Sequence, residues 1–242
     1  MASHGRLISD ALAASAACAA VLAALGPGEC LGFSSSIVSQ CRGLRRELPH
    51  DLRYVAEPFI DPLCNTLAEG HWALFLIVVA NSACYAPSRA ASRLWSISRN
   101  TLSHERLLSY QLAHANLAHI SGNMLTLLAV GSEVSTALNC NQQLLLALYV
   151  ACGWVGGYAA ALLSQARTVG ASGSVSGVIV ALSVLRPNSA VHILGDVDAA
   201  NPLMLLLGTL AADLSRGGVS WQAHLGGGIM GGLLAWLTTL VP

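Results

Sequence analysis

The sequence predicts an all-α polytopic membrane protein, and three observations predict it. The 242-residue chain has a mean hydropathy of +0.60 with only 10% charged residues, whereas a soluble domain carries about 25%. Apolar stretches of about 17 to 25 residues, which a helix needs to cross a bilayer about 30 Å thick, recur along the chain. Three clusters of polar residues lie inside such stretches. We therefore expect a bundle of spanning helices with one assembled site.

Six apolar stretches form the predicted core. The fifth stretch is the weakest of them, because Asp196, Asp198 and Pro202 crowd its start and Asp213 closes it. The six predicted core helices cover about 71–88, 112–133, 143–164, 170–186, 200–214 and 220–241.

A separate N-terminal segment, residues 1–69, is predicted ahead of a membrane domain that covers residues 70–242. The apolar stretch at about 7–26 has two interpretations. It is either a targeting sequence that is removed from the mature protein or an extra spanning helix ahead of the core. A polar linker joins this stretch to the first core helix.

The composition excludes several classes of protein. The net charge is zero, all 12 basic residues are arginine, and no basic face or aromatic series for nucleic acid is present. The seven cysteines include no C-x-x-C pair, and several lie in apolar stretches. We therefore expect neither a zinc site nor a set of disulfides, and no metal or cofactor. The cysteines are Cys18, Cys30, Cys41, Cys64, Cys84, Cys140 and Cys152.

The arginines predict the orientation, because short loops rich in arginine stay on the cytoplasmic or matrix side of a membrane. Four arginines lie between the first two core helices, and Arg167 and Arg216 lie in connections on the same side. The opposite short loops contain only Arg186. The arginine-rich side is also where Ser172 begins the fourth core helix, so the site is expected to open toward the cytosol or matrix. The four arginines of the first connection are Arg89, Arg93, Arg99 and Arg106.

The second core helix carries two histidines and an asparagine near its start. His119 and Asn123 are four residues apart and share a helix face, whereas His114 points elsewhere. This spacing suits metal coordination poorly. Two donors on one face can form an oxyanion hole, which stabilises the negative charge of a tetrahedral intermediate. His114 is expected to brace the loop before the helix. A lone histidine here would more often be a packing residue.

The fourth core helix begins with a serine between glycines, in the segment Gly170-Ala171-Ser172-Gly173. Glycine allows a sharp turn and the close approach of another helix, and a helix N-terminus adds free N–H groups and positive potential near the serine oxygen. Alone, this pattern more often marks a small-residue packing face. The two distant polar clusters favour a nucleophile, since polar groups in hydrocarbon are costly and usually functional.

The sixth core helix presents His224, Gly227 and Gly231 on a single stripe. Small residues on a stripe let a neighbouring helix approach, which can bring the imidazole within hydrogen-bond reach of Ser172. A serine hydroxyl is a weak nucleophile until a base takes its proton, and neutral histidine is the usual base near neutral pH. No acidic residue occupies an obvious third position. We therefore predict a Ser172–His224 dyad.

These clusters resemble the signature motifs of rhomboid intramembrane serine proteases. The matching segments, on the second, fourth and sixth core helices, are H-A-N-L-A-H-I-S-G-N-M, G-A-S-G and A-H-L-G-G-G-I-M-G. The resemblance covers about residues 70–242 and implies a six-helix rhomboid core in a lipid bilayer. It also implies that the substrates are single-span membrane proteins, cleaved in or near the bilayer where helix-destabilising residues let the strand unwind.

The resemblance implies a role for each polar residue of the clusters. Ser172 is the implied nucleophile and His224 the implied general base. His119, Asn123 and the backbone N–H of Ser172 form the implied oxyanion hole. His114 matches the structural histidine that precedes the second helix in this family.

Two features depart from many members of the family. The loop after the second helix, about 134–142, lacks their Trp-Arg pair, although Glu133 resembles an acidic residue common near that helix's end. Ser176 stands where many members have a tyrosine that stacks on the catalytic histidine, and its loss would hold His224 less rigidly. Both departures resemble the mitochondrial branch, the presenilin-associated rhomboid-like proteases. We therefore expect the mitochondrial inner membrane, with the secretory pathway or plasma membrane as the alternative.

Two other functions compete with a protease. A catalytically silent rhomboid relative would bind membrane proteins in quality control or translocation, but such relatives usually lose the serine or the histidine, and both are present here. A small channel or transporter would need ionisable residues along a path across several helices, whereas the polar residues here converge on one reaction. The sequence does not define the oligomeric state.

Overall fold

The protein, described by a computed structural model, is all-helical over residues 35–47, 60–85, 93–191, 201–207 and 220–240, the parts of the chain that the structure describes. This confirms the predicted fold class. Nine helices, α1 to α9, are named within these ranges. In chain order they cover Ser35–Glu47, 60–68, Trp72–Cys84, His104–Ser109, Leu117–Ala137, Gln142–Leu163, Ser172–Leu185, 202–207 and Trp221–Thr239.

The centre of the fold is a bundle in which α9 packs against α7 and α6, and α7 packs against α5. Apolar side chains from these helices form a continuous core, with Leu127, Leu145, Val178 and Leu182 almost inaccessible to solvent. Removing such side chains from water is the main favourable contribution to packing in soluble proteins, whereas close van der Waals contact takes its place where lipid surrounds the helices.

Three of the predicted core helices agree with α6, α7 and α9 to within about two residues, which is the usual uncertainty of helix ends. Among the described helices, α6 is the one long and apolar enough to cross a bilayer by itself. Helices α3 and α7 are apolar but shorter. Most of the predicted fifth helix, and the apolar stretch at 7–26, lie outside the described residues.

The predicted second core helix, 112–133, is wrong at both ends. It begins five residues later, at Leu117, because the side chain of Asn116 caps it by accepting a hydrogen bond of 2.8 Å from the backbone N–H of His119. The helix then continues to Ala137, so the loop predicted at 134–142 is reduced to residues 138–141. Asn139 and Cys140 turn the chain there with positive φ angles of 53° and 59°. The first core helix ends at Cys84, four residues before the predicted end.

The linker before the core contains helices α1 and α2, and a Cys41–Cys64 disulfide joins them. Cys140 is also disulfide-bonded. The expectation of no disulfides is therefore wrong. It rested on sequence spacing, whereas a disulfide requires only that the fold brings two cysteines together, here with their Cα atoms 5.8 Å apart. Cys84 and Cys152 are free thiols.

Polar contacts tie the start of α3 to the turn between α5 and α6. Nδ1 of His71 lies 2.9 Å from the Ser135 hydroxyl, and the Gln142 amide donates to the same hydroxyl at 2.6 Å. The Gln142 carbonyl oxygen accepts a hydrogen bond of 3.3 Å from the backbone N–H of Ala73. These contacts, with the Cys41–Cys64 disulfide, place α1, α2 and residue 140 at one end of the bundle, opposite the start of α7.

Candidate active site

Ser172 is the first residue of α7, directly after a sharp bend in the chain. Gly170 has a φ of +117°, in the region where a residue with a side chain is strained, so the bend requires glycine. The Ser172 side chain is only partly buried, whereas residues 173–179 behind it are buried. The hydroxyl therefore stands where a helix N-terminus, with its outward-pointing N–H groups, meets open space.

The glycine stripe of α9 lies directly against α7. An added Cβ at Gly227 would overlap the carbonyl oxygen of Gly173, and one at Gly231 would overlap that of Gly177. A Cβ at Gly173 would in turn lie 3.1 Å from the carbonyl oxygen of Ala223. The two backbones therefore touch at the residues next to Ser172 and His224.

His224 lies on the same face of α9 as Gly227, since the two are separated by three residues. Its side chain is buried, with 4% of its surface exposed. The contact between α9 and α7 thus places the imidazole on the turn of α9 that adjoins the start of α7. A histidine and a partly exposed serine, on adjoining turns of two packed helices, are the residue types that a serine nucleophile with a general base requires.

His119 and Gly170 are in direct contact. An added Cβ on Gly170 would lie 2.6 Å from Cε1 and 2.8 Å from Nε2 of the His119 ring. The opposite ring nitrogen, Nδ1, accepts a long hydrogen bond of 3.5 Å from the backbone N–H of Ala115. Because an accepting nitrogen carries no proton, this contact leaves Nε2 as the ring nitrogen that can donate. Nε2 is therefore a donor that faces the loop before Ser172.

Asn123 lies one turn after His119 and is buried. Its side-chain amide donates a hydrogen bond of 3.0 Å to the His119 carbonyl oxygen. An amide nitrogen has two hydrogens, so this bond leaves one N–H for a further acceptor. The predicted pair of donors therefore lies on adjacent turns of α5, and the His119 member contacts the serine loop, residues 170–174.

His114 bonds to the serine loop as well. Its Nε2 accepts a hydrogen bond of 3.4 Å from the backbone N–H of Ala171, and its ring meets that of His119 edge-on with centroids 5.1 Å apart. The side chain is almost fully buried. His114 thus links the segment before α5 to the residue that precedes Ser172.

Two residues outside the sequence motifs, Tyr110 and Gln111, also contact this loop. The carbonyl oxygen of Tyr110 accepts a hydrogen bond of 2.9 Å from the backbone N–H of Gly170. The side-chain oxygen of Gln111 accepts one of 2.8 Å from the hydroxyl of Ser174. Ser174 is a polar side chain within an apolar stretch, whereas Gln111 precedes the stretch at 112–133, and neither belongs to a spaced motif.

Ser176 and Glu133, which the comparison of motifs with the family singled out, lie apart from the serine loop. Ser176 is buried in the face of α7, one turn beyond Ser172. Glu133 accepts a charge-assisted hydrogen bond of 2.8 Å from Arg186, which joins the ends of α5 and α7 at the far end of the bundle. This pair is about half exposed, so it fixes the two helix ends at a wet boundary and contributes little to stability.

The site offers no set of metal ligands. Across the described ranges, no group of three or more His, Cys, Asp or Glu side chains is placed to hold a metal ion. Its chemical capacity is that of a serine beside a histidine, with the Nε2–H of His119, the Asn123 amide and the backbone N–H groups at the start of α7 as donors. Donors of this kind stabilise an oxyanion in acyl transfer.

Comparisons with known proteins address the family of this chain. The Rhomboid domain matches residues 102–240, which is more than half of the chain. Over 130 residues the chain is 28% identical to the rhomboid protease GluP of Bacillus subtilis (strain 168), and the alignment covers 54% of this chain and 25% of that protein. The chain thus spans about a quarter of the length of this relative. Members of the family are integral membrane proteins, and this chain belongs to the rhomboid family.

Proposed function

We propose that the protein is an intramembrane serine endopeptidase that cleaves single-span membrane proteins in or near their transmembrane helix. The observation that carries the proposal is the backbone contact between Gly227 and Gly173, which brings the turn with His224 against the turn with Ser172. The contact of His119 with Gly170, two residues before Ser172, supports a role for that ring at the same site. Membership of the rhomboid family supports hydrolysis of peptide bonds.

In the proposed reaction, His224 takes the proton of the Ser172 hydroxyl as Oγ attacks the carbonyl carbon of the substrate. Negative charge then develops on the carbonyl oxygen. The backbone N–H of Ser172, Nε2–H of His119 and the free amide hydrogen of Asn123 stabilise that charge. Protonated His224 gives its proton to the leaving amine, and a water molecule releases the acyl group from Ser172 by the same steps in reverse order.

Labelling with a fluorophosphonate probe tests the function directly. The parent chain in detergent is expected to react covalently with the probe, and Ser172→Ala is expected to remove all labelling, because the probe bonds only to an activated serine oxygen. Ser183→Ala is the matched control, since Ser183 lies on the same helix and bonds only to the Ile179 carbonyl within it. A parent chain that is folded but unreactive would favour a catalytically silent relative.

We further propose that α7 begins on the matrix side of the mitochondrial inner membrane. The arginine-rich connections lie on the side where Ser172 begins its helix, which supports that orientation. The disulfides supply an independent argument. Cys41, Cys64 and Cys140 all belong to the opposite end of the bundle, and disulfides persist on the oxidising side of a membrane rather than the cytosolic side.

A tag at the C-terminus tests this orientation, because α9 runs from the Ser172 side to the disulfide side. In mitochondria stripped of the outer membrane, added protease is expected to remove the tag while the inner membrane is intact. A matrix protein serves as the control for membrane integrity. Protection of the tag until detergent is added would contradict the orientation, and absence of the chain from mitochondria would contradict the location.

A further inference from the structure

The segment 110–114, called the template segment, holds the serine loop, residues 170–174, through hydrogen bonds. Three groups of the template segment each bond a different position of the loop. The Tyr110 carbonyl oxygen accepts from the N–H of Gly170 at 2.9 Å, and Nε2 of His114 accepts from the N–H of Ala171 at 3.4 Å. The third group is the Gln111 side chain, bonded to Ser174. The loop is thus fixed on both sides of Ser172.

Gln111 is held so that its oxygen points at α7. Its amide nitrogen donates a hydrogen bond of 2.9 Å to the Leu107 carbonyl oxygen, which leaves the amide oxygen for the Ser174 hydroxyl at 2.8 Å. Gln111 is 3% exposed and Ser174 is fully buried. An added Cβ at Gly153 would overlap both polar atoms, so glycine at this position of α6 makes room for the pair.

The phenol of Tyr110 reinforces the same arrangement. Its hydroxyl donates to the Gly153 carbonyl oxygen in α6, and an added Cβ at Gly173 would lie 3.4 Å from that hydroxyl. Tyr110 therefore contacts the chain just before and just after Ser172, while its ring is fully buried. Neither Tyr110 nor Gln111 is placed where a substrate could touch it.

We infer that Gln111, through its hydrogen bond to Ser174 and together with Tyr110, is a positioning residue that sets the start of α7 and thereby aims the Ser172 backbone N–H at the reacting carbonyl. The inference rests on the proposed protease function. A displacement of about 1 Å at a reacting group can reduce a rate by about a hundredfold. Because the pair is buried away from substrate, its loss acts on the transition state rather than on binding, and so on kcat rather than KM.

The test compares Ser174→Ala, Gln111→Met and the double variant, with cleavage of a labelled single-span peptide in the same detergent as the readout. Methionine has nearly the shape of glutamine, but its thioether sulfur is only a weak acceptor for the Ser174 hydroxyl. We expect each single variant to lower kcat by about tenfold to a hundredfold with KM unchanged. We also expect the double variant to lose no more than either single one, because both remove the same bond.

Ser183→Ala, whose lost hydrogen bond lies within α7, is the matched control and is expected to keep the parent kcat. Ser174→Ala replaces a serine within a helix by the best helix former, so it carries the test even if Gln111→Met does not fold. If the fold-loss in kcat of the double variant equals the product of the two single losses, or if Ser174→Ala keeps the parent kcat, the inference is wrong while the proposed function stands. A parent chain whose cleavage survives Ser172→Ala would overturn the proposed function and the inference with it.

Discussion

Replacing His224 by alanine is expected to abolish cleavage of a transmembrane substrate, with kcat lower by about 10⁴-fold or more. The imidazole lies on the turn of α9 that adjoins the start of α7, and without it no base is placed to take the proton of Ser172. The serine hydroxyl is then a poor nucleophile near neutral pH. Initial cleavage rates at saturating substrate measure the effect.

His104→Ala is the matched control for this variant. His104 is an exposed histidine whose ring stacks on Trp154 with centroids 5.7 Å apart, at a position outside the serine loop and the α7–α9 contact. Its removal is expected to leave kcat within about twofold, as for surface substitutions generally. Formation of the Cys41–Cys64 disulfide and an unchanged unfolding temperature would show that His224→Ala is folded. Retention of a tenth of the parent rate by folded His224→Ala would mean that another group is the base.

Gly227→Ala is expected to lower kcat by about a hundredfold, although it adds only a methyl group. The added Cβ would overlap the Gly173 carbonyl oxygen, and it would also lie 3.2 Å from the Cys152 carbonyl oxygen. Backbone atoms on both sides cannot move aside as a flexible side chain can. Helix α9 must therefore shift away from α7 and carry His224 away from Ser172, where a displacement of about 1 Å has an effect of this size.

Gly228→Ala provides the comparison on the next residue of the same helix. There the added Cβ would meet only side-chain atoms, the nearest being Cγ2 of Val180 at 3.2 Å. We expect kcat within a few-fold of the parent, because a side chain can adjust by a few tenths of an ångström. Equal losses in the two alanine variants, measured on protein with matched unfolding temperatures, would contradict the idea that the contact with Gly173 positions His224.

The spaced polar motifs were the part of the site that the sequence could predict. A serine, a histidine and two donors within apolar stretches are costly in hydrocarbon, so their types and spacing were informative without any structure. The glycine stripe of α9 could be predicted equally well, because helical periodicity alone places His224 and Gly227 on one face. The third, fourth and sixth core helices were located closely for the same reason, since long apolar stretches have few alternatives.

The template segment could not be predicted in this way. Residues 110–112 lie at the edge of the apolar stretch predicted from 112, and they form a short 3₁₀ turn because Tyr110 and Gln111 find partners in α6 and α7, about 40 to 60 residues away. The Cys41–Cys64 disulfide escaped prediction for a similar reason. In both cases the deciding contact is distant along the chain, and neither composition nor periodicity carries information about such pairs.

The length of α7 has a consequence for how deep the chemistry lies. Its 14 residues span about 21 Å, which is less than the hydrocarbon thickness of about 30 Å. The exposed pair of Arg186 and Glu133 marks the far boundary. With that end at the headgroups and α7 along the bilayer normal, Ser172 is expected about 10 Å beneath the opposite surface. In the proposed protease, the length of α7 thus sets the depth at which a substrate is cleaved. The scissile bond is then selected by its depth in the lipid as well as by the substrate side chains around it.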